Sequence, residues 1–291
     1  MTPPPVMHRP RALIATAILL VAGLLAGCGS SSSSDSTTSV SASDCTPAKL
    51  PTHTQGELTV ATDKPAYPPY FEDNDPTNGK GFESAVAYAI ADQLGFKSSQ
   101  VHWVTVPFNS SYAPGPKDFD FDVNQISITP ARSEHVDFST PYYTANQAVV
   151  ASKGSSAASA TSLADLKDAS IGVQIGSTSL DAVNSEIQPS SDPRVFNDSN
   201  DVVTALKEGQ VDAVVVDLPT ALYLTAAQVP SAKIVGQFSA PGGDRWGALL
   251  AKGSPLTGCV SGATDALRAS GRLGQIENRW MSQAAQAPIL N

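Results

Sequence analysis

From Gly56 onward the apolar residues of the chain alternate between two spacings. GELTVAT (56–62), VHWVTVP (101–107) and FDFDVNQISIT (119–129) alternate or run apolar over a few residues and predict strands. FESAVAYAIADQLG (82–95) places Phe82, Val86, Ala89, Ile90 and Leu94 near helical spacing, with Gly95 as a stop, and predicts a helix. The Pro- and Gly-rich segments DKPAYPPYFEDNDPTNGKG and FNSSYAPGPKDF predict loops. Thr129-Pro130 predicts a helix start, with Thr as N-cap and Pro in the first turn. A second series begins near Gln147: strands QAVVAS, SIGVQIG, VDAVVVD and AKIVGQF interleave with helices STSLDAVNSEI, NDVVTALKEG and LPTALYLTAAQ. VDAVVVD is nearly all apolar, as buried parallel strands are. WGALLAK then precedes a helix whose Leu256, Cys259, Val260, Ala263 and Leu267 share one face, and LGQIENRWM follows. Strands alternating with helices give an α/β class with parallel sheets and right-handed crossovers.

The N-terminus breaks this alternation. MTPPPVMHRPR carries two arginines and no acid, and ALIATAILLVAGLLAG then runs sixteen residues without a charge. A basic start, a short apolar run and small residues at its end predict a secretory signal over residues 1–27. The run is shorter than the ~20 residues a membrane span needs. Leu25-Ala26-Gly27-Cys28 resembles a bacterial lipobox, in which Cys28 becomes the diacylated first residue of the mature chain; the other reading is a buried cysteine in an uncleaved anchor. After Cys28, residues 29–44 read GSSSSSDSTTSVSASD, which has too little apolar surface to offset its ordering entropy, and residues 28–52 are expected to form a Ser-rich tether.

Charge narrows the partners. The net charge is −9, and residues 1–27 hold two cations and no acid, so cleavage lowers it by two to −11. That argues against nucleic acid and against electrostatic adhesion to anionic lipid, and it also serves solubility. With Cys28 on lipid, Cys45 and Cys259 remain, and an exported chain can join them; a disulfide is expected, two unpaired buried thiols being the alternative. His8, His53, His102 and His135 are scattered and no Cys-x-x-Cys occurs, so neither metal nor cofactor is expected.

In open parallel sheets ligands bind outside the carboxyl ends of the strands. Four predicted strands end in polar residues: at Asp63, at Ser127 and Thr129, at Ser177 and Thr178, and at Asp217. Two of these ends, at Pro130 and Ser177, also begin predicted helices, whose free N–H groups favour an anion. Arg132 follows closely and can hold a carboxylate with two parallel hydrogen bonds. Asp217 is the lone acid ending an apolar strand and suits an ammonium. A carboxylate and an ammonium together describe an α-amino acid.

ELTVATDKPAYPPYFE, GKGFESAVAYAIADQLGF, ISITPARSEHVDFSTPYY, SLADLKDASIGVQIGSTS and EGQVDAVVVD, in this order, resemble the family 3 extracellular solute-binding proteins, the polar-amino-acid receptors of ABC importers. The resemblance spans about residues 55 to 283. It implies a type II periplasmic-binding fold, two α/β lobes with mixed, mainly parallel sheets that close around a ligand. Residues 53–146 plus 237–291 would form lobe 1 and residues 147–236 lobe 2, with crossings near Ala145–Ala148 and Val235–Ser239. By motif position, Arg132 and the Ser127 backbone would hold the ligand carboxylate, Ser177 and Thr178 would reach it from lobe 2, and Asp217 would take the amine. Tyr67 and Phe108, with Tyr70 a weaker candidate, would wall the side chain. The family also implies a permease partner and a monomeric receptor anchored to the membrane through Cys28. Three departures touch the lobe 1 wall: Gln125 where Gly or Ser is usual, the irregular SSYAPGPKDF where a helix is usual, and a longer first loop. Gln125 is expected to hydrogen-bond a polar ligand side chain. Asp122 and Asn124 are expected to bond the irregular segment. The rival class is an enzyme of the cyclohexadienyl dehydratase kind, with Glu72, Glu83 or Asp217 as its acid; a sensor domain is a third reading.

Overall fold

The computed structural model describes residues 44–240, 242–281 and 287–291. The signal expected over residues 1–27 and Cys28, the residue expected to carry lipid, lie outside these residues. Among the described residues no helix is long and apolar enough to cross a membrane.

Two five-stranded sheets form two lobes. The first sheet has the order β2-β1-β3-β12-β4, from β1 (Leu58–Thr62), β2 (Val101–Thr105), β3 (Phe121–Asp122), β4 (Val136–Phe138) and β12 (Leu249–Ala251). The second has the order β10-β6-β9-β7-β8, from β6 (Gln147–Ser152), β7 (Ile171–Gln174), β8 (Arg194–Phe196), β9 (Ala213–Asp217) and β10 (Ala232–Phe238). β1 pairs parallel with β2 and β3, and β7 with β8 and β9. β12 runs antiparallel to β3 and β4, and β6 to β9 and β10. The antiparallel members are the strands that flank the crossings, because a chain arriving from the other lobe enters the sheet reversed. Between the lobes β5 (Tyr143–Ala145) and β11 (Asp244–Trp246) pair as a two-stranded ribbon, so the crossings lie at Asn146 and between Phe238 and Asp244.

The first lobe carries α1 (Phe82–Gln93), α2 (Phe108–Ser111), α3 (Pro130–Ser133), α7 (Thr257–Ala269) and α8 (Arg272–Trp280). The second carries α4 (Thr178–Ala182), α5 (Ser199–Lys207) and α6 (Leu218–Tyr223). Leu58, Val60, Phe82, Val86, Ile90, Val260 and Leu267 pack as one core between the first sheet and α1 and α7. In β9 the side chains alternate between two cores: Ala213 and Val215 face one, Val214 the other, which is why VDAVVVD is apolar throughout.

Two expected boundaries move. The tether expected over 28–52 ends earlier: Leu50 is buried in the first core and Cys45 is joined to Cys259 of α7 by a disulfide, so residues 45–52 belong to the lobe. Residues 237–291 were placed whole in lobe 1. Gln237 and Phe238 instead complete β10, Ile289 bridges to Gln237, and Leu290 sits in the second core, so both ends of that span belong to lobe 2. Gly236 makes this possible: a Cβ there would lie 2.6 Å from Leu290 and 2.7 Å from the Pro288 carbonyl.

Candidate functional site

The lobes are closed on a cavity of about 100 Å³. One water needs about 10–15 Å³ on this measure, so there is room for a compact ligand. Tyr67 of the first lobe stacks on Tyr223 of the second at 5.9 Å between centroids, and the Tyr70 hydroxyl lies 2.8 Å from Thr220 Oγ1.

Arg132 ties the lobes at the inner end. Thr129 caps α3, its Oγ1 accepting the Arg132 N–H, and this turn aims the guanidinium inward. Nη1 donates to the Ser127 carbonyl at 2.8 Å and Nη2 to the Gly176 carbonyl of lobe 2 at 2.9 Å. The rings of Tyr112 and Phe108 cover it at 4.7 and 5.4 Å. Gly176 has φ +69, and a Cβ there would lie 2.4 Å from the Tyr112 hydroxyl, so this close approach needs glycine. Ser177 caps α4 by accepting the Leu180 N–H. α3 is a single turn and offers only a small dipole, whereas α4 runs on without a break as a π-helix over Val183–Ile187, so Ser177 opens the longer helix. Arg132 is the stronger anion-binding group.

Beside Arg132 lies a polar cluster that the sequence reading only half contained. Ser127 Oγ donates to Asp244, and Thr178 Oγ1 donates to the same carboxylate at 3.1 Å. Gln147, fully buried at the start of β6, donates through Nε2 to Asp244 and to Asp217 Oδ1, the latter at 2.7 Å, while its Oε1 accepts from Ser179 Oγ. β6 pairs Gln147 directly with Asp217, so register alone brings them together. Burial, then the Asp244 carboxylate, push the Asp217 carboxyl well above the usual range. Asp244 and Gln147 were not anticipated. GGD reads as a turn, and a Gln opening an apolar run reads as a strand end.

Of the expected residues, Tyr67, Phe108, Gln125, Ser177, Thr178 and Asp217 line the cavity, as does Tyr70; Ser127 and Arg132 stand behind the lining. Gln125 is not available as expected. Its backbone N–H and its side-chain amide both donate to Glu83, which also accepts the Tyr142 hydroxyl. Gln125 holds φ +49 to make this double contact. Burial pushes the Glu83 carboxyl up to about 7.

Asp122 and Asn124 part company. Asp122 accepts from Ser111 Oγ of the irregular segment, as expected; its Oδ1 has no partner, and burial pushes its carboxyl up to about 7. Asn124 does not bond that segment. Its Nδ2 is buried without a partner and the residue lines the cavity, because the backbone turns after β3 and aims it at the cleft. At the outer end Asp63 and Asp198 face each other from opposite lobes. Asp63 accepts the N–H groups of Lys64 and Phe108, Asp198 caps α5, and burial raises the Asp63 carboxyl with a contribution from Asp198.

Comparison with known proteins agrees with this geometry. The model of the bacterial extracellular solute-binding proteins, family 3, matches residues 58–283. An L-arginine-binding protein of Pseudomonas aeruginosa is 30% identical over 239 residues, 77% of this chain and 90% of that protein. The ABC transporter glutamine-binding protein GlnH of Bacillus subtilis is 30% identical over 268 residues, 89% of this chain and 93% of that one. The structure of an ancestral arginine-binding protein bound to arginine superposes with a TM-score of 0.65 at 34% identity, covering 77% of this chain and 97% of that chain. The ancestral amino acid-binding protein AncCDT-1, a precursor of cyclohexadienyl dehydratase, gives a TM-score of 0.61 at 29% identity, covering 77% and 94%. These neighbours share the type II periplasmic-binding fold, and the chain belongs to the bacterial extracellular solute-binding proteins, family 3, extracytoplasmic receptors for small solutes.

Proposed function

We propose that this chain captures an amino acid with a cationic side chain for an ABC importer. Relatives named for arginine and for glutamine leave the side chain open. The charge of the cavity carries the choice: its charged lining is Asp63, Asp198 and Asp217 against Lys64 alone. Arg132, Ser127 and Thr178 hold the ligand carboxylate, Asp217 its ammonium, and Asp63 and Asp198 the distal cation, with Tyr67 and Phe108 against the aliphatic stem. Because each lobe holds part of the site, ligand stabilises the closed form by differential affinity, and the permease reads that form. Thermal-shift screening of the common amino acids tests this, since binding raises apparent stability. Arginine or lysine should give the largest shift; a larger shift with glutamate would overturn the cationic reading.

The chain works as a receptor and not as an enzyme. Glu83 is engaged by Tyr142 and Gln125 and lies behind the lining, and Glu72 is absent from it, so neither glutamate is placed to act as the acid over a substrate. Turnover of prephenate or arogenate would reverse this reading. A signal over 1–27, a diacylated Cys28 and a monomeric state complete the proposal. Cys28→Ala should release the protein from the membrane fraction.

A further inference from the structure

Asp217 lines the cleft at its inner end, and a second carboxylate, Asp244, is buried behind it. Asp217 ends β9 and Asp244, 1% exposed, begins β11 on the crossing ribbon. Gln147 Nε2 donates to both, and its orientation is locked because Oε1 accepts from Ser179 Oγ at 2.6 Å. The other donors to Asp244 are the hydroxyls of Ser127 and Thr178. Every donor to the pair is therefore neutral. The charged and titratable groups facing it are Arg132, Tyr67, Tyr70 and Tyr143, and Arg132 gives its two terminal nitrogens to backbone carbonyls. Asn124, 7% exposed with an unpartnered Nδ2, lines the same cavity and marks polar space that a ligand would fill. Two adjacent buried carboxylates cannot both stay ionised without a cation between them.

We propose that Asp244 is a second carboxylate of the ammonium site, a positioning and specificity residue that makes the empty closed site hold one proton on Asp217 and makes the ligand cation displace it. The inference rests on the amino acid receptor reading. The balance is simple: the Asp217 carboxyl and a ligand ammonium give a carboxylate–ammonium pair and one proton passed to water. Burial and the neighbouring Asp244 carboxylate both raise the Asp217 carboxyl, the direction in which the pair takes up a proton when no cation lies beside it. Because binding releases a proton, affinity rises with pH, by up to about tenfold per unit, and levels off once the empty site has lost the proton. A neutral isostere of the ligand amine would leave the proton on Asp217 and form no carboxylate–ammonium pair, so it should bind more weakly and release no proton.

Isothermal titration of L-arginine into the wild-type protein near neutral pH, in phosphate and in Tris, reads the proton directly. The expected result is a binding enthalpy that differs between the buffers by their ionisation heats, equivalent to about one proton released. Asp244→Asn should still bind, release no proton and show a pH-independent affinity. If that variant does not fold, Asp244→Ser takes its place, with the same expected loss of proton release. Binding with the same enthalpy in both buffers, or proton release that survives in Asp244→Asn, overturns the inference and leaves the receptor reading intact. Failure of the wild-type protein to bind any amino acid overturns both.

Discussion

The two ends of the cleft are built on opposite terms. At the inner end Arg132, Ser127, Thr178, Gln147, Asp217 and Asp244 form one network in which side chains from both lobes and the crossing ribbon partner one another. On the outer wall Asn124 keeps an amide without a partner and Asp63 and Asp198 confront each other. The inner end recognises what all amino acids share, and its donors are pre-aimed by mutual contact, so little ordering remains to be done on binding. The outer wall meets the part that differs, and it is left unsatisfied so that the right side chain has something to complete.

The largest test of this contrast is pH. Behind the outer wall Glu83 and Asp122 are each pushed up to about 7 by burial. Unfolded, such groups titrate near ~4, so between about pH 4 and 7 the native state binds more protons than the unfolded chain. The stability they contribute is complete below the unfolded values, falls as pH rises through about 7, and is flat above. Denaturant titrations of the ligand-free protein should lose a few kcal/mol between about pH 4 and 7, with Asp122→Asn flattening its share. An unchanged midpoint across that range would show that the wall does not rest on protonated acids. Next in size, Arg132→Ala at the inner end should weaken binding of every amino acid by about 3 kcal/mol, because it removes a buried charge and uncovers two carbonyls. Calorimetric affinity equal to wild type would remove Arg132 from the site. A smaller and selective loss is expected at the outer wall: Asp63→Asn should cost a cationic ligand about 1.5 kcal/mol and a neutral one almost nothing, as competition binding can read. Equal losses for both would erase the distinction between the two ends. Asn124→Ala should change affinity least, by about 1 kcal/mol, and with a sign that depends on the ligand side chain.

Much of the frame was legible from local pattern. Helical spacing placed Phe82, Val86 and Ile90 on one buried face, and the apolar run through Val214 and Val215 announced a strand covered on both sides. Spacing also led to Arg132, Thr178 and Asp217, because strand ends and helix caps are local events. Asp244 was not legible, since its partners lie 97 and 117 residues away and meet only when the ribbon forms. Gln125 and Asn124 misled for a related reason. Strict alternation predicts opposite faces, but β3 stops at Asp122 and Gln125 enters the left-handed region, so both residues turn toward the cleft. A two-residue strand followed by a polar bend is decided by Glu83 on another element, which sequence spacing does not reveal.

The Cys45–Cys259 bridge also sets where mechanical load enters the molecule. A pull on the chain ahead of Cys45 passes through the disulfide into α7 and spreads over the first core, bypassing β1 and the crossing ribbon. In the anchored receptor proposed above, lobe 1 is thus the lobe that would take the load.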